Sequence, residues 1–204
     1  DNPNIFSLTL DLASIASVRQ FCSDFVKEQY PPLYGIVCNA GFNRQPLEYT
    51  KDGFEATFGA CHLGHYLLTN LLICHMQDDG RIVFVSSDMH QPPKIVCPHT
   101  PAFESAYALA KPGQNRTISK KEMTLRYPMA KLCNILCVYE MVDRLKTETN
   151  KRITVNAFNP GLMTDTEFLP GTTNKAIYHT IRFSATLLAK AVKQLGSSVT
   201  SGKA

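Results

Sequence analysis

The sequence predicts an α/β fold: a parallel, doubly wound sheet with helices covering its faces. Two observations carry this. Short apolar runs that halt at turns, IFSLTLDL (5–12), YGIVCNAG (34–41), RIVFVSS (81–87) and RITVNAF (152–158), read as buried strands. Between them lie longer stretches whose apolar residues recur every three or four positions, the period of a helix. Strands alternating with helices run parallel, because each crossover returns the chain to the same end of the sheet.

Taken in order, IFSLTLDL alternates and ends at Asp11-Leu12, as a strand meeting a loop does. A helix should follow, capped by Ser14, with Ile15, Val18, Phe21, Phe25 and Val26 on one face. After the strand at 34–41, Phe54, Phe58, Leu63, Tyr66, Leu67, Leu71 and Leu72 give one helical stripe from about Asp52 to Met76. The run 81–87 is the next strand. Residues 88–125 are rich in Pro, His, Thr and Lys without a sustained period, which reads as an inserted loop or lid with a short helix near Ala102 to Leu109. A strong helix then spans about Leu125 to Glu148, the strand 152–158 ends at Asn159-Pro160-Gly161, and Lys175 to Leu195 carry a last amphipathic pattern. No repeats are present, and one domain over 1–204 is expected.

With 204 residues, 44% of them hydrophobic, the chain can bury a sizeable single core. The net charge of +4 is spread along the sequence and not gathered into a stripe, which argues against a nucleic-acid partner. Seven cysteines, an odd number set mostly in apolar runs, read as reduced thiols in a reducing, cytoplasmic compartment, with an organelle left open. No apolar run reaches the roughly 18 residues of a membrane span, and DNPNIFSLTLDL lacks the blocks of a signal peptide. Cys61 and His65 lie one helical turn apart and Cys97-Pro-His99 sits in the insertion, but without a CxxC or HExxH pairing no metal site is expected.

In an open parallel sheet, ligands bind beyond the carboxyl ends of the strands. Here those ends read Asp11-Leu12, Asn39-Ala40-Gly41, Ser86-Ser87 and Asn159-Pro160-Gly161. The stretch YPMAK (127–131) adds a tyrosine and a lysine on one face of a helix. Alone, that pair reads more readily as a buried aromatic beside a solvated lysine. The five features together, in this order, resemble the short-chain dehydrogenase/reductase family along nearly the whole chain. LCNILCVYE and NPGLMTDTEF resemble its branch of retinol dehydrogenases and light-dependent protochlorophyllide reductases.

The resemblance implies a Rossmann-like domain that interconverts a carbonyl and an alcohol with NADP, NAD being the alternative. It implies that Tyr127 is the general acid/base, that Lys131 lowers the phenol's pKa and holds the nicotinamide ribose, and that Ser87, rather than Ser86, binds the substrate oxygen. By the same likeness Asn39, Ala40 and Gly41 flank the cofactor, Asp11 meets its adenine, Pro160 and Gly161 lie beneath the nicotinamide, and Thr166, with Thr164 competing, contacts its amide or phosphates. The insertion and the 175–195 pattern suggest a bulky apolar carbonyl or alcohol as substrate, of the class of a retinoid, steroid or lipid derivative. A homo-oligomer is possible. Two departures stand out. Cys61 in CHLGH occupies the place of an asparagine that the family uses in its proton relay, and no GxxxGxG turn precedes IFSLTLDL. The likeness therefore implies a fragment lacking the first βαβ unit and the last strand, inactive by itself. An impaired relative that binds nucleotide or a partner is the alternative.

Overall fold

The computed structural model describes residues 5–43, 46–92, 99–113 and 117–161. Its sheet has three strands, β1 (Leu33–Cys38), β2 (Met76–Val85) and β3 (Thr154–Phe158), all parallel and in the order β1-β2-β3. Side chains alternate across a strand, so Ile36 and Cys38, Ile82 and Phe84, and Val155 all point to one face. There they meet Val18 and Cys22 of α1 (Ile15–Lys27), Leu68 and Leu72 of α3 (Gly64–Leu72), and Cys137, Val138 and Met141 of α5 (Lys120–Glu148) in one core. Among the described residues the opposite face stays open, with Val37 67% exposed. Strands that follow in sequential order through crossovers of one hand place the connecting helices on one side, which accounts for this. The 175–195 pattern lies outside the described residues.

The N-terminal segment departs from expectation. Residues 5–11 form no strand. A strand exists through its ladder partner, and among the described residues none pairs with these; Leu10 and Leu12 rest on the core while Ile5 and Phe6 are exposed. The helix after them starts where the sequence places it, with the Ser14 hydroxyl accepting from Ser17 N–H at 3.3 Å. Val26, expected on its apolar face, is exposed, and Cys22 takes its place in the core.

The single helix expected over 52–76 is broken into pieces. It comprises α2 (Ala56–Phe58), a π-helical turn over Gly59–Leu63, α3, and a 3₁₀ turn over Ile73–His75. Gly64, the pivot between the π turn and α3, has a backbone reason: a Cβ there would lie 2.3 Å from the Leu12 carbonyl oxygen. Met76 already belongs to β2. The parallel ladder is continuous only from Arg81, opposite Gly35, and Gln77 to Gly80 bulge outward with Asp79 at φ 63°. Arg152 pins that bulge through a fork to Asp78, and Lys151 Nζ donates to the carbonyls of Cys74 and Met76.

The insertion holds a 3₁₀ turn, Asp88–His90, and α4 (Ala106–Ala110), shorter than and shifted from the expected helix. It also ends sooner, because α5 begins at Lys120. A capping box does this: the Ser119 hydroxyl accepts from Glu122 N–H while the Glu122 carboxylate accepts from Ser119 N–H. The apolar period starts one turn later, so periodicity alone missed the helix start. Pro128, fully buried inside α5 and one residue beyond Tyr127, lacks the N–H that would close on Thr124, yet the helix runs on through it. No helix of the described residues is long and apolar enough to cross a membrane.

A buried ion pair joins α2 to α5. Arg126 Nη1 donates to Glu55 Oε1 at 2.9 Å, and the Glu55 carboxylate also accepts from the N–H groups of Thr57 and Phe58. Glu55 N–H in turn donates to Ala110 O at 2.7 Å, tying in the insertion. Removing one charge of such a pair strands the other, so Arg126→Met should cost about 3–5 kcal/mol in urea unfolding; a loss below about 1 kcal/mol would refute this reading of the pair. Burial among α3 and α5 pushes His65 down to about 4, so the folded protein resists a proton that the unfolded chain accepts near 6.5. Stability from this group is full above pH 6.5 and is lost as pH falls to about 4, on the order of 3 kcal/mol, and His65→Gln should flatten the profile across that window.

Candidate active site

The carboxyl ends of the three strands meet one turn of α5. Lys131, 3% exposed, donates from Nζ to the Val85 carbonyl at 2.7 Å. The Ser86 hydroxyl donates to the Lys131 carbonyl at 2.9 Å, so the end of β2 and α5 are stitched twice. That contact commits Ser86 to the scaffold. Ser87, one residue on, faces the other way: its hydroxyl is hydrogen-bonded to Tyr127, whose ring lies 5.5 Å from Lys131 Nζ. The structure thus brings Ser87, Tyr127 and Lys131 together.

The expected lowering of the phenol is not met in this arrangement. Desolvation pushes Tyr127 up to about 12, outweighing the downward pull of the Ser87 hydrogen bond. The ammonium lies over the ring, 5.5 Å from its centroid, and donates to Val85 O. Lys131 itself is lowered, again by burial. Tyr127 is accordingly a firmly protonated donor.

Around these three, the loops are held by their own polar groups. The Ser87 hydroxyl accepts from Met89 N–H at 3.3 Å, and His90 Nδ1 meets Ser87 O at 2.6 Å. Asp88 accepts from the Asn159 amide, Asn159 Oδ1 accepts from Gly161 N–H at 3.1 Å, and Ser86 N–H donates to Phe158 O at 2.8 Å. The loop after β2 is thereby fastened to the Asn159-Pro160-Gly161 turn, whose Gly161 has φ 73°. At the end of β1, Asn39 and Ala40 are exposed, and Gly41 passes so close that a Cβ would lie 3.3 Å from Cys61 Sγ and 3.5 Å from Lys131 Nζ. Cys61, fully buried, bonds the next residue in both senses, accepting from Phe42 N–H at 3.3 Å and donating to Phe42 O at 3.2 Å.

Asp11 stands apart from this group. Its hydrogen bonds go to the start of α1, the carboxylate accepting from Ala13 N–H at 2.9 Å. Thr164 and Thr166 lie outside the described residues, as does Cys97. Among the described residues no three His, Cys, Asp or Glu side chains come together as a metal site. Sequence reasoning missed Glu55, Arg126, His90 and Asn134. The available signal was a charged or amide side chain inside an otherwise apolar helical pattern.

Comparison with known proteins identifies the family. Residues 1–119 match the family model described as short chain dehydrogenase. The chain is 40% identical over 162 residues to a WW domain-containing oxidoreductase of Danio rerio, covering 76% of this chain and 36% of that protein. It is 37% identical over 156 residues to retinol dehydrogenase 14 of Mus musculus, covering 76% of this chain and 41% of the relative. The chain therefore spans about two fifths of the length of these relatives. Among solved structures, a short chain dehydrogenase from Burkholderia cenocepacia in complex with NADP superposes with a TM-score of 0.55 at 23% identity, over 89% of this chain and 66% of that one, a likeness of fold. With its strand-end loops and its α5 turn so arranged, and with more than half of its residues matched by the family model, the chain belongs to the short chain dehydrogenase family.

Proposed function

We propose that the protein is an NADP-dependent oxidoreductase, with NAD as the alternative cofactor, that interconverts a carbonyl and an alcohol on a bulky apolar substrate. The convergence of Ser87, Tyr127 and Lys131 at the strand ends carries this reading. A bound nicotinamide supplies the hydride. Tyr127 gives its phenolic proton to the oxygen of the reduced carbonyl, Ser87 hydrogen-bonds that oxygen, and the Lys131 ammonium stabilises the phenolate left behind. The close approach of Gly41 to Cys61 and Lys131 suits a loop over which a flat cofactor passes. Asn39, Ala40, Gly41, Pro160 and Gly161 would hold it, with Lys131 on its ribose, Asp11 toward its adenine and Thr166 on its amide or phosphates.

Residues 1–204 are proposed as one domain in which the insertion expected over 88–125, shortened to end before α5 at Lys120, forms a lid. Phe103 and Tyr107 are exposed in that segment and would offer an apolar wall to the substrate. Relatives named as retinol dehydrogenases support the same class of substrate. A cytoplasmic or organellar setting is proposed, one relative being chloroplastic, and a homo-oligomer is compatible.

A phenol pushed up to about 12 stays protonated near neutrality, so it is present as the acid while the phenolate needed as a base is scarce. Carbonyl reduction should stay flat from pH 6 to 9, while alcohol oxidation by the same protein should climb about tenfold per pH unit as the phenolate fraction rises. A flat oxidation profile would overturn Tyr127 as the base. Tyr127→Phe should lower kcat by at least about a hundredfold with the melting temperature nearly unchanged, and full turnover in that variant would remove the mechanism.

A further inference from the structure

The π turn over Gly59–Leu63 widens the helix by one residue: Gly64 N–H bonds back to Gly59 O, five residues away. The Cys61 carbonyl in this turn is also reached by side chains. Asn134 Nδ2 donates to Cys61 O at 3.2 Å, and His65 Nδ1 stands 3.5 Å from the same oxygen. Asn134 is 1% exposed and lies on α5 three residues, about one turn, beyond Lys131. Its amide is fully used, since Oδ1 meets His62 Nδ1 at 2.9 Å.

The polarity of this chain is fixed. Cys61 O can only accept, so the amide presents its NH₂ to it and its oxygen to His62, which must carry its proton on Nδ1. Burial keeps His62 neutral. A buried amide with both ends satisfied has one low-energy orientation. Through it, α5 is locked to the residue whose thiol clamps Phe42 N–H and O, next to Gly41 and hence to Lys131 Nζ. The ring Lys131, Asn134, Cys61, Phe42, Gly41 closes on itself.

We infer that Asn134 is a positioning residue: by holding the carbonyl of the π turn it fixes Cys61 against the 41–42 backbone and so sets the place of Lys131 relative to that loop. This also gives Cys61 a task other than relaying protons, that of a latch on the loop after β1. The inference rests on the oxidoreductase reading only for its effect on rate, and its structural half can be tested without turnover.

Two variants of the protein in its full natural sequence separate the contacts. Asn134→Asp keeps an acceptor for His62 and loses the donor to Cys61 O; His62→Phe removes the imidazole bond and leaves the donor in place. Alkylation of the native protein by iodoacetamide, read by peptide mass spectrometry, should label Cys61 at least about tenfold faster in Asn134→Asp than in wild type. Cys133 and Cys137 should stay protected in the same sample, and His62→Phe should leave Cys61 as protected as in wild type. In active protein, Asn134→Asp should also move the high-pH limb of the reduction profile through the displaced lysine. Wild-type protection of Cys61 in Asn134→Asp overturns the inference. So does equal deprotection of Cys61, Cys133 and Cys137, which would mean general unfolding, and so does deprotection by His62→Phe. Failure of the wild-type protein to turn over any carbonyl removes the functional reading and leaves the labelling result to stand.

Discussion

An ammonium held out of water at the end of a sheet is the constraint on which this structure turns. Burying an unpaired charge costs several kcal/mol, and Lys131 is buried with a backbone carbonyl as its hydrogen-bond partner. The surrounding geometry answers that cost. The end of β2 supplies Val85 O, the Ser86 hydroxyl fixes the helix backbone from which the lysine springs, and the Tyr127 ring offers its face to the cation. Each of these depends on α5 crossing the sheet at one height, and that height is set elsewhere: by the Glu55–Arg126 pair one residue before Tyr127 and by Asn134 one turn after Lys131.

The helix facing α5 is shaped by the same demand. A regular helix over 52–76 would keep its carbonyls to itself. The Cys61 carbonyl, within the π turn, accepts from Asn134, and Gly64 lets the chain beyond it press against the Leu12 carbonyl. The irregularity therefore sits at the one place where the helix must serve both its neighbour α5 and the loop after β1.

Much of this was legible in the sequence, and what was not has definite causes. Three strands, the Ser14 cap and the body of α5 follow from periodicity and capping chemistry, which are local, whereas the grouping of Ser87 with Tyr127 and Lys131 came from the resemblance to the family, since spacing alone left that pair an ordinary one. The strand expected at 5–12 fails because a strand is a property of a pair, and the pattern of one segment cannot say whether a partner lies beside it. The break in the 52–76 helix escaped notice because GACHLGH keeps its apolar spacing while its hydrogen bonds change register. The start of α5 was hidden because Ser119 and Glu122 act through their polar ends, ahead of the first apolar residue. The phenol's upward shift could not be read either: spacing puts a lysine near Tyr127, but the direction in which its ammonium points depends on where β2 ends.

That last point bears on the chemistry. The buried carboxylate nearest to the α5 turn belongs to Glu55, and it is held by Arg126 and by two N–H groups of α2. Lys131 is thus left facing dipoles, Val85 O and an aromatic ring, instead of a formal anion. A cation balanced only by dipoles stabilises whatever negative charge is created beside it, because no resident anion has already claimed its field. Two groups in this site could supply that charge, the Tyr127 phenol and the Cys61 thiol. Burial raises both, and at the thiol it outweighs the downward pull of the Phe42 N–H bond and of the Lys131 ammonium. The phenol, hydrogen-bonded to Ser87 and lying beneath the ammonium, is the group left with a proton to give. Substituting cysteine for an amide at position 61 therefore need not compete with Tyr127 for the charge of Lys131, and the site can combine a buried thiol with acid catalysis.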